Sequence, residues 1–93
     1  MSRSKGMYLH LGQSVVIPYD DIIGFFDLDI TTQSKRTREF LSKMQSQGLV
    51  TNVSEEIPAS FVLSKKDGKT TVFLSRISTK TLAKRIIQHE FEV

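Results

Sequence analysis

Phe61–Leu74 reads FVLSKKDGKTTVFL. Two apolar runs, Phe61-Val-Leu63 and Val72-Phe-Leu74, flank Lys66-Asp67-Gly68-Lys69. Asp-Gly between such runs predicts a two-residue type I′ hairpin, because both central residues must take positive φ. That register places Lys66 opposite Lys69, Leu63 opposite Val72, and Phe61 opposite Leu74. The other face then carries Val62 against Phe73. Both faces are apolar, so one is expected to pack on helices and the other to meet another subunit.

Working outward, Ser78 is a candidate cap for a helix from Thr79 to about Gln88. Leu82, Ala83, Ile86 and Ile87 would form its buried stripe, leaving Lys80, Lys84 and Arg85 outside it. On the N-terminal side, Leu49 to Val53 is a strand candidate. Before it, Thr37, Phe40, Leu41 and Met44 fall at helical spacing. Thr32 would cap that helix over Gln33 to Gln47, with Gly48 at its C′ position. Ile22-Ile-Gly-Phe-Phe26 is apolar on both faces and reads as a buried central strand. Met7-Tyr-Leu-His-Leu11 and Val15-Val-Ile17 read as two more short strands, with Pro18 opening a turn. The expected fold class is α+β: a small, mostly antiparallel β-sheet with two helices in a single domain. Residues 1–6 are expected to be a flexible N-terminal extension ahead of a domain spanning 7–93.

Ninety-three residues without a cysteine exclude disulfides and thiolate metal sites. A core of this size supplies only a few kcal/mol, so self-association is one expected source of further stability. No apolar run approaches the roughly 20 residues of a membrane span. The expected compartment is the cytosol, with no membrane partner.

The net charge of +3 is unevenly placed. Asp20 to Asp29 holds four acids and no base, Lys35 to Lys43 four bases and one acid, and Lys65 to Arg85 seven bases and one acid. Such a two-signed surface could attract a polyanion, although charge runs are often only solvated faces.

Asp27-Leu-Asp29-Ile-Thr31 follows an apolar strand, as in haloacid-dehalogenase-like phosphatases, where the first Asp attacks phosphorus and Mg²⁺ neutralises charge. That fold needs a parallel sheet with several crossover helices and a later acidic metal anchor. Neither is expected here. The alternative is that Asp27 and Asp29 favour a helix start, where negative charge is stabilising. His10 and His89 have no metal-ligand partner at useful spacing. The expected catalytic, metal and cofactor assignments are therefore all none.

Lys35, Arg36 and Arg38 crowd the start of the first helix, against its macrodipole. A cluster placed at that disadvantage suggests another use. One is a salt-bridge network, with Asp20, Asp21, Glu55 and Glu56 supplying the acids from this chain or from another subunit. The other is phosphate contact on nucleic acid. No second helix sits where helix-turn-helix needs one, so contacts with DNA would be mostly to its backbone.

MYLHLG, VVIPYDDIIGFFDLD, SKRTREFL, GLV, the SFVLS…VFLSRIS hairpin and TLAKR, taken in order from Met7 to about Ile87, resemble the RemA/RemB family of bacterial extracellular-matrix (biofilm) regulators, on its RemB side. The resemblance implies a non-catalytic, cytosolic, DNA-binding transcription regulator that assembles as a ring-like homo-oligomer on double-stranded DNA. An array of that kind adds many weak phosphate contacts by avidity. There is a departure from the family pattern. RemA-type members carry an arginine-rich turn where this chain has Glu55-Glu56-Ile57-Pro58, and a basic loop where it has Tyr19-Asp20-Asp21. Neither set of arginines carries over. The candidate phosphate contacts are then Lys35, Arg36 and Arg38, with Lys65, Lys66 and Lys69 at the hairpin tip, and beyond them Lys80 and Lys84. The alternative is a protein-interaction module of the same family that does not bind DNA.

Overall fold

The computed structural model describes residues 7–91, with side chains to Ile86. The predicted hairpin is its centre. Strands β5 (Ser60–Lys66) and β6 (Lys69–Ser75) pair antiparallel in the expected register, with Lys66 opposite Lys69 and Phe61 opposite Leu74. Asp67 and Gly68 have φ of 53° and 80°, as a type I′ turn demands.

Two further strands complete a four-stranded sheet. β3 (Ile22–Asp27) pairs antiparallel with β5, and β4 (Val50–Asn52) pairs parallel with β6, giving the order β3-β5-β6-β4. β1 (Tyr8–Gly12) and β2 (Val15–Pro18) form a separate two-stranded sheet. The α+β class with mostly antiparallel strands holds. The single sheet becomes two, and one pairing is parallel.

β3 is an edge strand and not the central one its apolar run suggested. Its apolar residues are covered from the two faces of the sheet, not by strands on both sides. Phe26 packs with Phe61 below helix α2 (Lys35–Ser46), while Ile22 and Phe25 pack into the opposite cluster. Ile23 is left 56% exposed on the free edge.

Both faces of the hairpin are filled from within the chain. On one, Met44 and Leu41 of α2 cover Phe61, Val72, Leu63 and Leu74. On the other, Leu9, Leu11 and Ile17 of the small sheet and Leu82 of helix α3 (Thr79–Phe91) cover Val62 and Phe73. The second face therefore does not meet another subunit as expected, because β1, β2 and α3 already occupy it. Full burial of Val62, Val72 and Leu82 stabilises the fold by about 1.5–3 kcal/mol each.

The chain between β3 and α2 departs from the sequence expectation. Asp27, not Thr32, caps a helix: its Oδ1 accepts from Ile30 N–H at 2.9 Å and opens the one-turn helix α1 (Leu28–Thr31). A break follows, and α2 starts only at Lys35, after Ser34. Gly48 holds φ +73° just past the end of α2, as a C′ glycine should. Ser78 caps α3 as expected, its Oγ accepting from Thr81 N–H at 3.2 Å. The side chain of Ile87, the last member of the expected stripe, and residues 1–6 lie outside what is described.

Candidate nucleic-acid and self-association surfaces

All six candidate cations are exposed, but they do not form one cluster. Lys35 and Arg38 lie along one side of α2 with Lys43. Lys35 is 3.8 Å from Glu39, an i,i+4 pair with both side chains largely in water, which contributes little. Arg38 donates from Nη1 to the Thr32 carbonyl at 2.7 Å. That carbonyl belongs to the break between α1 and α2, so one of the three bases has a structural contact. Its other nitrogens remain free to bind elsewhere.

Arg36 points another way. It borders a shallow recess of about 310 Å³ floored by Phe26, Phe61 and Leu63 and walled by Phe40. Phe26 and Phe61 stack there with ring centroids 5.0 Å apart. Phe40, expected in the buried stripe of α2, is 36% exposed on this recess.

At the hairpin tip, strand alternation divides the lysines. Lys65 falls on the α2 side with Phe61 and Leu63, and Lys66 and Lys69 fall on the other. Lys66 and Lys69 are directly opposite one another, a like-charge pair that destabilises a hairpin. Lys80 and Lys84 are exposed on α3, while Arg85 donates from Nη1 to the His10 carbonyl at 2.7 Å.

Of the acids proposed as partners for the helix bases, Glu56 instead approaches Arg76, at 3.7 Å. Lys35 is the one candidate cation with a carboxylate partner among the described residues. The loop between β4 and β5 is tied at both ends, by Val53 N–H to the Leu74 carbonyl at 2.9 Å and Ala59 N–H to the Ser75 carbonyl at 2.8 Å. Between these ties Ile57 projects with 89% of its surface exposed.

The phosphatase geometry is not assembled around β3. That strand pairs only with antiparallel β5, and Asp27 is engaged as a helix cap. Among the described residues no three acidic or histidine side chains are grouped to hold a metal. His10 Nε2 contacts the Gln13 carbonyl at 2.7 Å within its own hairpin. No described helix is long and apolar enough to cross a membrane.

No protein-family model matches the chain. It is 36% identical over 87 residues to extracellular matrix regulatory protein B of Bacillus subtilis (strain 168), covering 94% of this chain and 98% of that protein. The chain belongs to the extracellular matrix regulatory protein B family. Near end-to-end coverage means that the alignment includes the small sheet, the hairpin and both long helices, in agreement with the order of motifs in the sequence.

Sequence reasoning missed four buried serines, Ser54, Ser60, Ser64 and Ser75. Ser75 Oγ donates to the Leu11 carbonyl at 2.6 Å and accepts from Ile77 N–H at 3.0 Å; Ser60 Oγ donates to the Ile77 carbonyl at 2.8 Å. The Ser75–Leu11 bond joins the two sheets, and the two bonds of Ile77 tie the segment after β6 to the ends of β5 and β6. The sequence signal was a serine at each outer end of the two apolar hairpin runs.

Proposed function

We propose that this protein regulates extracellular-matrix genes as a non-catalytic, cytosolic DNA-binding protein, working as a homo-oligomer through phosphate-backbone contacts. The observation that carries this reading is the state of its cations. Five of the six candidates, Arg36, Arg38, Lys65, Lys66 and Lys69, are exposed without a carboxylate partner among the described residues. Lys66 and Lys69 are also held opposite each other at a local cost, which a bound polyanion would reverse. The name of the Bacillus relative supplies the regulated process. Lys35, Arg36 and Arg38 on α2 and the three hairpin lysines are the candidate phosphate contacts, and repetition around an oligomer would multiply them.

A gel shift with duplex DNA across a salt series tests this. Affinity should fall steeply with salt, and removing one phosphate-binding side chain should take about one unit off the log–log slope. Replacing Lys65, Lys66 and Lys69 together by Gln should flatten it accordingly. The exposed Glu55-Glu56-Ile57 turn favours a second reading, an interaction module that does not contact DNA. Absent or salt-independent binding by the unaltered protein would select it.

A further inference from the structure

We infer that the Glu55–Pro58 turn of one copy docks into the aromatic recess of a second copy, with Ile57 between Phe26, Phe40 and Phe61 and Glu55 against Arg36. This rests on the homo-oligomer part of the proposed function and gives it an address.

Each half of the contact is incomplete by itself. Ile57 is a large aliphatic side chain with 89% of its surface in water. It precedes Pro58, which confines it to extended backbone, so little entropy is lost in presenting it. The turn is also held by the ties at Val53 and Ala59 and by Glu56 N–H donating to Ser54 Oγ at 3.1 Å. The recess, at about 310 Å³, is at the small end of the roughly 300–1,000 Å³ range of ligand pockets and suits one or two side chains. Its floor is apolar, and its rim carries one cation.

The charges match. Arg36 has no carboxylate partner and Glu55 no cationic one among the described residues. An arginine at the edge of an apolar pocket, facing an acid that flanks an aliphatic residue, forms an apolar centre with a charged rim.

Within one chain the two halves stand apart: Ile57 is exposed and does not line the recess. Glu55 and Glu56 share a hollow with Asn52 and Val53 at the end of β4, whereas the recess lies over β5 and β3. Two different patches make a head-to-tail contact, which repeats from copy to copy and closes into a ring if the rotation allows. Arg36 is then the base used for assembly, while Lys35, Arg38 and the hairpin lysines remain outside the contact.

The test is the mass in solution as a function of concentration, by sedimentation equilibrium, for the full chain and for Ile57→Asp, Arg36→Glu, Glu55→Arg and the Arg36→Glu/Glu55→Arg double variant. All the altered residues are exposed, and circular dichroism checks that each variant keeps its fold. Ile57→Asp should raise the dissociation constant at least about tenfold, since burial of one aliphatic side chain alone accounts for that factor, and each single charge reversal should raise it by a smaller, several-fold amount. The double reversal should recover most of the loss. If Ile57→Asp assembles like the unaltered protein, or the double reversal is no better than the singles, the docking is wrong even though the protein still oligomerises. A monomeric unaltered protein would overturn both the docking and the homo-oligomer reading, leaving the gel shift to decide DNA binding separately.

Discussion

Ser75→Ala should be among the costliest single-atom deletions in the molecule. Ser75 is fully buried, and its hydroxyl serves two backbone groups from different parts of the chain. The Leu11 carbonyl lies where the β1–β2 register shifts between His10 and Gly12, so Leu11 has no cross-strand partner in that ladder. Leu11 is itself fully buried, so without the hydroxyl its carbonyl would go without this partner inside the core. A buried polar group left unpaired costs about 1–3 kcal/mol, and the Ile77 N–H, only partly buried, adds a smaller amount. The expected loss is about 2–3 kcal/mol. In a chain of 93 residues that lowers the thermal midpoint by roughly 10–20 °C. Ser64→Ala is the matched control: Ser64 is buried too, at 7% exposure, but its hydroxyl makes no hydrogen bond among the described residues. Its loss should stay below about 1 kcal/mol, in the range of substitutions that orphan nothing. Urea unfolding at one fixed protein concentration measures both, because oligomer formation would otherwise shift the midpoints. If the two variants unfold within about 0.5 kcal/mol of each other, the hydroxyl is not the tie between the sheets and the reasoning fails.

Asp27→Asn should leave stability nearly unchanged, because Asn caps a helix as well as Asp, whereas Asp27→Ala should cost about 1 kcal/mol in the same urea assay. Mg²⁺-dependent phosphate release that is lost in the Asn variant would contradict the capping role. Gly68→Ala should cost about 1 kcal/mol or more, since Gly68 holds φ +80° with open space around it, so the penalty is backbone strain alone. Equal thermal midpoints for Gly68→Ala and the unaltered chain would argue against the I′ turn.

The parts of the fold legible in the sequence were those set by local rules. The Asp67-Gly68 turn fixes the hairpin register through positive φ, and the Ser78 and Gly48 ends of the helices follow from capping chemistry. What stayed hidden depended on which element lands on which. Ile22–Phe26 is apolar on both faces in an edge strand just as it would be in a central one, because α2 and the small sheet cover it from either side. The helix start at Lys35 was misplaced for a local reason: Thr32 is an acceptable cap by residue type, but its Oγ1 donates back to the Leu28 carbonyl of α1, and α2 begins only after Ser34. Arg36 could not be told from Lys35 and Arg38 by spacing alone. The break after Thr31 sets the phase of α2 and turns Arg36 toward Phe26 and Phe61.

That phase bears on how one small surface can serve two ends. Helix bases at an N-terminus cost stability, and three in four residues would be a poor arrangement if all did the same work. Here they diverge: Arg38 is anchored on Thr32, Lys35 stands beside Glu39 on the open side, and Arg36 rims an aromatic recess. The acidic turn that replaces the arginines of RemA-type members need not oppose DNA binding if it is taken up between subunits. Its carboxylates would then be neutralised inside the assembly, and the field reaching a duplex would come from the lysines left outside. On this view assembly and DNA affinity are linked, and Ile57→Asp should weaken the gel shift as well, by loss of avidity, without touching a single phosphate-binding side chain.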